Sequence, residues 1–182
     1  KALSSYQKLE EVLSLSLRNN LFDYQGLGEL AASPFVKNLK CLNLMDNYIG
    51  DKGIFILSES EPLSKLELLN LENTGVSSVG ILALSQSPNL KNLRELSLNR
   101  NSIDEKGIQS IANSANFKNL TVLRISGISI GDEGFQCILN SNTLKQLEEL
   151  EMAGNFISKK SLLKLAKSPL LSHLKKMDLR RN

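Results

Sequence analysis

Apolar residues recur along this chain with a 27-residue period. The pattern is clearest from Leu93 to Gly107, which reads L-x-x-L-x-L-x-x-N-x-I and then reaches a glycine. Steps of one period from Asn101 reach a series of marker positions: Asn20, Asn47, Thr74, Asn101, Ile128, Asn155 and Asn182. No insertion or deletion interrupts six periods from Asn20 to Arg181. Repeats of this length predict a solenoid.

Each period predicts one short strand. The run from Glu95 to Asn99 alternates polar and apolar side chains, which is typical of a half-buried strand with its leucines pointing inward. Because the copies run in the same direction, the strands must pair in parallel, and each return path must be long enough for a helix. The marker asparagine follows the strand, where its side chain can bond the turn and form a ladder between coils.

A helix follows each strand. Three residues after each marker stands an expected N-cap residue: Asp23, Gly50, Ser77, Asp104, Gly131 and Ser158. Apolar residues such as Ile108 and Ile111 then recur at helical spacing, and prolines after a serine column end the helices. A glycine column occupies the first turn, where glycine costs up to about 1 kcal/mol in helix propensity. We expect a close backbone contact to require it.

Two markers depart from asparagine. Thr74 can keep a weaker hydrogen bond, whereas Ile128 can make none and should interrupt the ladder. Two interpretations of Ile128 stay open: a locally repacked turn, or an apolar spot on the rim that is available to a partner.

The phrase L-x-x-L-x-L-x-x-N, continued by I-G-D-x-G at 49–53 and 130–134, resembles the leucine-rich-repeat family. The repeat length and the helical crossover resemble its ribonuclease-inhibitor-like class. The resemblance implies an α/β fold: a right-handed solenoid in a horseshoe arc, with a parallel sheet on the concave side and helices on the convex side. We expect one domain over residues 1–182, with a partial leading repeat at 1–19, six repeats at 20–181 and an end inside the array. Such a chain would be a piece of a longer protein.

Members of this family typically bind proteins on the concave sheet, so the resemblance implies a protein partner. They include cytosolic inhibitors, innate immune receptors, ubiquitin-ligase adaptors and effectors injected by bacteria. This chain lacks the cysteine richness and alternating repeat lengths of the ribonuclease inhibitor. The I-G-D-x-G phrase, with 16 Lys, 6 Arg and 18 Asn, is more similar to a bacterial repeat protein or effector.

Candidate binding residues are the outward strand positions, because the pattern leaves them unused by the core. The middle of this surface is expected to combine apolar Leu68 and Val122 with Glu95, and to place Arg124 beside Glu151, a composition typical of binding hot spots. The expected concave site comprises Met45, Leu68, Asn70, Glu95, Ser97, Asn99, Val122, Arg124, Glu149 and Glu151. Arg124→Glu should abolish partner binding without lowering the melting temperature.

Charge is unevenly distributed. Residues 156–182 carry a net charge of +7, which leaves −4 on residues 1–155. A secondary basic patch is expected from Lys159, Lys160, Lys164, Lys175, Lys176, Arg180 and Arg181. Nothing in the sequence other than this patch supports binding of nucleic acid or acidic lipid. The near absence of aromatic stacking residues disfavours such ligands. Lysines on a helix in this pattern more often belong to a solvated helix face or to a contact with a following domain.

The sequence indicates no enzyme, metal or cofactor. His173 is the only histidine, and no cysteine or paired carboxylate stands near it at motif spacing. Cys41 and Cys137 are too far apart to pair if strands lie about 4.8 Å apart, so a cytoplasmic protein is expected, or one secreted into a host cytosol. No apolar run approaches the roughly 20 residues of a membrane span. We therefore expect a non-enzymatic interaction scaffold, or the recognition domain of a larger effector or ubiquitin ligase.

Overall fold

The computed structural model describes residues 5–182, so Leu3 of the leading partial repeat lies outside the described residues. One layer is a parallel sheet of seven strands in sequence order. The strands are β1 Ser14–Ser16, β2 Cys41–Asn43, β3 Leu68–Asn70, β4 Glu95–Ser97, β5 Val122–Arg124, β6 Glu149–Glu151 and β7 Lys176–Asp178. The other layer holds the helices α1 Tyr24–Ala31, α2 Gly50–Glu59, α3 Ser78–Ser85, α4 Glu105–Asn113, α5 Gly131–Leu139 and α6 Lys159–Leu162.

The register of the sheet follows the sequence period. Leu69 pairs with Leu96, and Leu96 with Leu123, so each strand partner lies one period further along the chain. The strands are shorter than the predicted alternating run, but their ladder continues beyond them. The amides of Leu98 and Arg100 donate to the carbonyls of Arg124 and Ser126 in the next coil, at 2.7 and 3.0 Å.

The core lies between the two layers and consists of the repeated apolar columns. The inward strand residues of the middle coils, such as Leu69, Leu96 and Leu123, are fully buried, and so are the helix residues Ile108 and Ile111. Helices pack about 8–10 Å apart, roughly twice the strand spacing. The stack therefore bends with its sheet on the concave side, as the sequence predicts.

The asparagine ladder is confirmed, and its bonds run from side chain to backbone. In Asn47, Oδ1 accepts from the amides of Asn20 and Phe22, while Nδ2 donates to the carbonyls of Leu17 and Leu44. Each such asparagine therefore satisfies polar backbone groups of its own turn and of the preceding coil. Equivalent bonds are made by Asn101, Asn155 and Asn182.

The two exceptional markers behave differently. Thr74 keeps one hydrogen bond, from Oγ1 to the carbonyl of Leu71 at 2.7 Å. Ile128 is 4% exposed and belongs to the hydrophobic core, so the interpretation of an accessible apolar spot on the rim is wrong. Its turn is still tied to the following coil, because Asn155 Oδ1 accepts from the Ile128 amide at 3.0 Å.

A second ladder runs through the serine column at the other end of the helices. The Ser114 hydroxyl donates to the carbonyl of Ser85 in the preceding coil at 2.5 Å, and its oxygen accepts from the Asn116 amide. Hydroxyls of the same column reach back to the preceding coil over 2.5–2.7 Å in Ser60, Ser87, Ser141 and Ser168. Both ends of each coil are therefore fixed to the coil before it.

Four of the six expected N-caps are confirmed, and two are wrong. The side chains of Asp23, Ser77, Asp104 and Ser158 accept from amides of their own helices. Gly50 and Gly131 instead begin their helices with positive φ angles of 59° and 62°, which glycine adopts without strain.

The aspartate of the I-G-D-x-G phrase caps the helix of the next coil. Asp51 Oδ1 accepts from the Ser77 amide at 2.8 Å and from the Gly80 amide at 3.1 Å. Asp132 accepts from the amide and the hydroxyl of Ser158, both at 2.7 Å. In the two coils that lack a side-chain cap, the phrase thus links successive helices.

The glycine column is required by neighbouring side chains, so the expected backbone contact is wrong. A methyl group at Gly107 would lie 2.6 Å from Ile103 Cγ2 and 2.7 Å from Ser78 Oγ. At Gly28, which lies outside the column, the nearest atom would be Ile56 Cδ1 at an ordinary 3.6 Å.

We predict opposite effects of alanine at these two glycines. Gly107→Ala should lower the free energy of unfolding by about 1–3 kcal/mol, because the added methyl group overpacks the first turn of α4. Gly28→Ala is the matched control in α1 and should raise it by about 0.5–1 kcal/mol through helix propensity. Urea denaturation measures both values, and a stabilising Gly107→Ala would refute the steric explanation.

We also predict that the serine ladder contributes measurably to stability. Ser114→Ala should lower the free energy of unfolding by about 1–3 kcal/mol, because the buried carbonyl of Ser85 loses its donor. Ser110→Ala is the control, since that hydroxyl bonds only the Lys106 carbonyl within α4. Urea denaturation should find it neutral or slightly stabilising, and equal losses in both variants would contradict a role for the ladder.

Candidate protein-binding surface

The outward strand positions form one surface across the sheet. All ten expected concave residues lie on β2 to β6 or within two residues of a strand end. Because partners in register are one period apart, members of one column stand side by side, for example Glu95 beside Val122 and Ser97 beside Arg124. The structure therefore brings the predicted residues together on one face.

Two of the ten are less accessible than expected. Ser97 and Val122 are only 6% and 8% exposed. Val122 stands between Glu95 and Glu149 on the adjacent strands, and Ser97 stands beside Arg124. These longer flanking side chains leave the two short ones little access to solvent, so the expectation that Val122 offers apolar contact area is wrong. Leu68 is half-buried and remains at the centre of the face.

Two further expected site residues have structural hydrogen bonds. Asn70 Oδ1 accepts from the Glu72 amide at 2.9 Å. Asn99 Oδ1 accepts from the Ser126 amide of the next coil at 2.7 Å, and its Nδ2 donates to Glu72 Oε2 at 3.2 Å. Their side-chain amides stabilise the turns after the strands. They are therefore less available to contact a ligand.

Alternating charges cross the face from β4 to β7. Arg124 lies between two carboxylates, with Nη1 3.5 Å from Glu95 Oε2 and Nε 3.6 Å from Glu151 Oε1. Lys176 bridges Glu149 and Glu151 at 3.3 and 3.1 Å, and these hydrogen bonds, the one to Glu151 foremost, raise the pKa of Lys176. Arg124 retains 28% side-chain exposure. Because its distances to the two carboxylates are long for hydrogen bonds, part of the guanidinium's hydrogen-bonding capacity is available to a ligand.

The predicted basic patch is divided between the two layers. Lys159 and Lys160 lie on α6, with Lys164 just after it. On the strand side Lys175 pairs with Glu148 at 2.9 Å, and Arg180 pairs with Asp178 at 2.7 Å. The prediction of one basic surface from all seven residues is therefore wrong, because they lie on two layers and most of the strand-side cations pair with carboxylates.

Sequence reasoning missed three exposed apolar residues on the rim. Leu21, Tyr48 and Phe156 each follow a marker asparagine and are 79%, 77% and 76% exposed. Leu21 and Phe156 also have positive φ angles of 51° and 61°, which bulky residues rarely adopt. The sequence signal was a large apolar residue in a column that elsewhere holds glycine or serine. Leu21 and Tyr48 lie in adjacent coils beside the open face.

Other chemistry has little support in the described structure. Residues 5–182 contain no group of three or more His, Cys, Asp or Glu residues placed to hold a metal ion. His173 is exposed and ends a 3-10 turn at Pro169–Ser172. Cys41 and Cys137 are free thiols on β2 and α5. In the same range no helix has the length and apolar character needed to cross a membrane.

Comparison with known proteins agrees with this architecture. A family model described as Leucine Rich repeat matches residues 37–57 and 89–112, which include β2 and β4. No curated protein matches the chain.

Two solved structures show the same fold. An internalin from Listeria monocytogenes is 24% identical, with a TM-score of 0.57, and the match covers 97% of this chain and 50% of that one. The ectodomain of the Arabidopsis receptor kinase HAESA, solved with an extended IDA peptide hormone ligand, is 16% identical. Its TM-score is 0.50, with 97% of this chain and 31% of that chain covered. The fold is that of a leucine-rich-repeat solenoid, and the family model supports the family resemblance.

The charge pair at the end of the face generates a pH prediction. Bonds from the Arg180 side chain, and then from its amide, lower the pKa of Asp178 to about 2. Because this pKa is depressed, the pair should stabilise the fold above the ordinary value of 3.8 and cease to do so as pH falls toward 2. Arg180→Gln should move the carboxyl titration, followed by NMR, upward toward 3.8.

Arg181→Gln is the matched control for this titration. Arg181 is adjacent and exposed, and the bonds that lower the Asp178 pKa come from Arg180. Equal shifts in the two variants would mean that long-range charge, and not the Arg180 bonds, sets the pKa.

Proposed function

We propose that this chain is a non-enzymatic interaction scaffold that binds a protein partner through the concave face. The observation that carries the proposal is the division of labour within each repeat. The leucine, asparagine, serine and glycine columns build the core and the hydrogen-bond ladders. The outward strand positions are not needed for either, and they leave these side chains partly exposed on the sheet: Leu68, Glu95, Arg124, Glu149 and Glu151.

The composition of this face supports recognition of another protein. Leu68 supplies apolar area near the centre, and Arg124 lies between Glu95 and Glu151, so the face can contact apolar and charged groups together. Arginine and apolar anchors near the centre of a contact contribute most of the binding energy in many interfaces. The plant receptor ectodomain of the same fold was solved with a peptide hormone ligand, which is consistent with a polypeptide ligand here.

The finer assignments belong to the same proposal. The helical crossovers between all neighbouring strands support the ribonuclease-inhibitor-like class. The chain spans about half of the internalin and a third of the receptor ectodomain that it resembles. We therefore keep the second hypothesis, in which this array is the recognition domain of a larger effector or ubiquitin-ligase-type protein. The free thiols support a reducing compartment such as a cytoplasm.

The binding test uses Arg124→Gln in preference to Arg124→Glu. A glutamate would stand beside Glu95 and Glu151 and could lower stability by charge repulsion, which would confuse the result. Arg124→Gln should weaken partner binding at least about tenfold, because a central charged contact is lost, and should leave the melting temperature nearly unchanged. Partners retained by the immobilised wild type are identified by mass spectrometry, and their affinities are then measured with purified proteins.

Arg94→Gln is the control for this test. Arg94 is exposed, and its substitution removes the same charge, but it lies just before the amino-terminal end of β4 and outside the expected concave site. The proposal expects binding to survive Arg94→Gln and to fall with Arg124→Gln and with Leu68→Asp. Full affinity in both face variants would move the binding site to another surface.

A further inference from the structure

Among helices α1 to α6 of the described residues, the large apolar side chains that are exposed lie on α2 and α3 only. Helix α3 contains no charged residue, and its Val79 and Leu82 are 58% and 46% exposed. Phe55 on the neighbouring α2 is 48% exposed. By contrast, the exposed residues of α4 are polar or charged: Glu105, Lys106, Gln109 and Asn113. A helix that is apolar on all sides normally has a partner on its outer face as well.

The three exposed apolar residues line one groove between α2 and α3. Its volume is about 320 Å³, and Glu59 and Gln86 lie at the carboxyl ends of the two helices. Phe55 and Leu82 stand one period apart, in equivalent positions at the middle of their helices. Phe55 and Leu82 therefore place apolar surface halfway along both helices, and Val79 extends it toward the amino terminus of α3.

Opposite charges flank this apolar centre on α2. Lys52 stands in the first turn and Glu59 is the last residue, with Phe55 about midway between them. Both charged residues are exposed, and Lys52 Nζ lies 5.2 Å from the ring centroid of Tyr24. The outward face of α2 therefore reads cation, apolar centre, anion along the helix. Such a pattern is complementary to itself when reversed.

We propose that the outer faces of α2 and α3 form a two-fold interface with a second copy of this chain, in which the paired helices run antiparallel. Phe55 and Leu82 then pack against their own equivalents near the axis. Lys52 of each copy faces Glu59 of the other, so two identical ion pairs form, as symmetry requires of an interface that uses the same patch twice. A parallel arrangement would instead place Lys52 against Lys52 and Glu59 against Glu59.

The neighbouring helices tolerate the antiparallel arrangement. On α3, Val79 would face Gln86, and on α4, Lys106 would face Asn113, so no like charges oppose each other at these positions. The helix layer is convex, so only α2, α3 and their immediate neighbours can touch a second copy. So small a contact should bury less than the roughly 1,000 Å² that specific interfaces usually bury in total. We therefore expect a weak dimer.

The first experiment is sedimentation equilibrium of the full 182-residue chain over a range of protein concentration. The mean mass should rise from 20.1 kDa toward twice that value. Leu82→Glu should remain at the mass of one chain, whereas Lys118→Glu, a charge change outside this face, should associate like the wild type. A wild type that stays monomeric, or a Leu82→Glu variant that dimerises normally, would overturn the proposal.

Charge exchange then tests the antiparallel geometry. Lys52→Glu and Glu59→Lys should each remain monomeric, because like charges would oppose each other twice. An equimolar mixture of the two variants should form a mixed dimer, and the double variant should dimerise again. Both changes place a favourable charge at their end of α2, so unfolding should not imitate the effect, and thermal melting checks this. Single variants that dimerise like the wild type, or a mixture that stays monomeric, would overturn the antiparallel interface.

Discussion

The structure depends on hydrogen bonds that tie each coil to the one before it. A short strand and a short helix cannot satisfy all the polar groups of their own connecting turns. Asn47 and its equivalents satisfy those of the turn before the helix. Ser114 and its equivalents satisfy those of the turn after the helix. Because both side chains reach backbone groups at a fixed place in the preceding coil, the insertion of a single residue would break the register of both ladders.

This constraint separates two kinds of position in the repeat. Residues that point between coils or into the core are fixed by their neighbours, and Gly107 is fixed because Ile103 and Ser78 leave no room for a side chain. Residues on the open face of the sheet and on the outer face of the helices are not used by the stack. Differences between coils accumulate there, such as the alternating charges around Arg124 and the apolar outer face of α3.

The periodicity predicted the parallel sheet, its register and the asparagine ladder correctly, because each follows from the same repeated step along the chain. It misplaced two N-caps, since Gly50 and Gly131 occupy the expected column but have no side chain that can accept a bond. It identified the serine column but not its hydrogen bonds to the preceding coil, because spacing along the chain does not show which backbone group each hydroxyl reaches. The exposed rim residues Leu21 and Tyr48 were overlooked since they interrupt no column of the core.

The sequence by itself determined the repeat, the strand that pairs with each strand, and which face each side chain occupies. These properties depend on spacing along the chain, and spacing can be read without coordinates. Only the tertiary structure decided that Val122 is covered, that Arg124 lies between Glu95 and Glu151, and that Asp51 caps the next helix. Each of these depends on side-chain reach across coils, where residues about one period apart meet and their lengths and rotamers determine the contact.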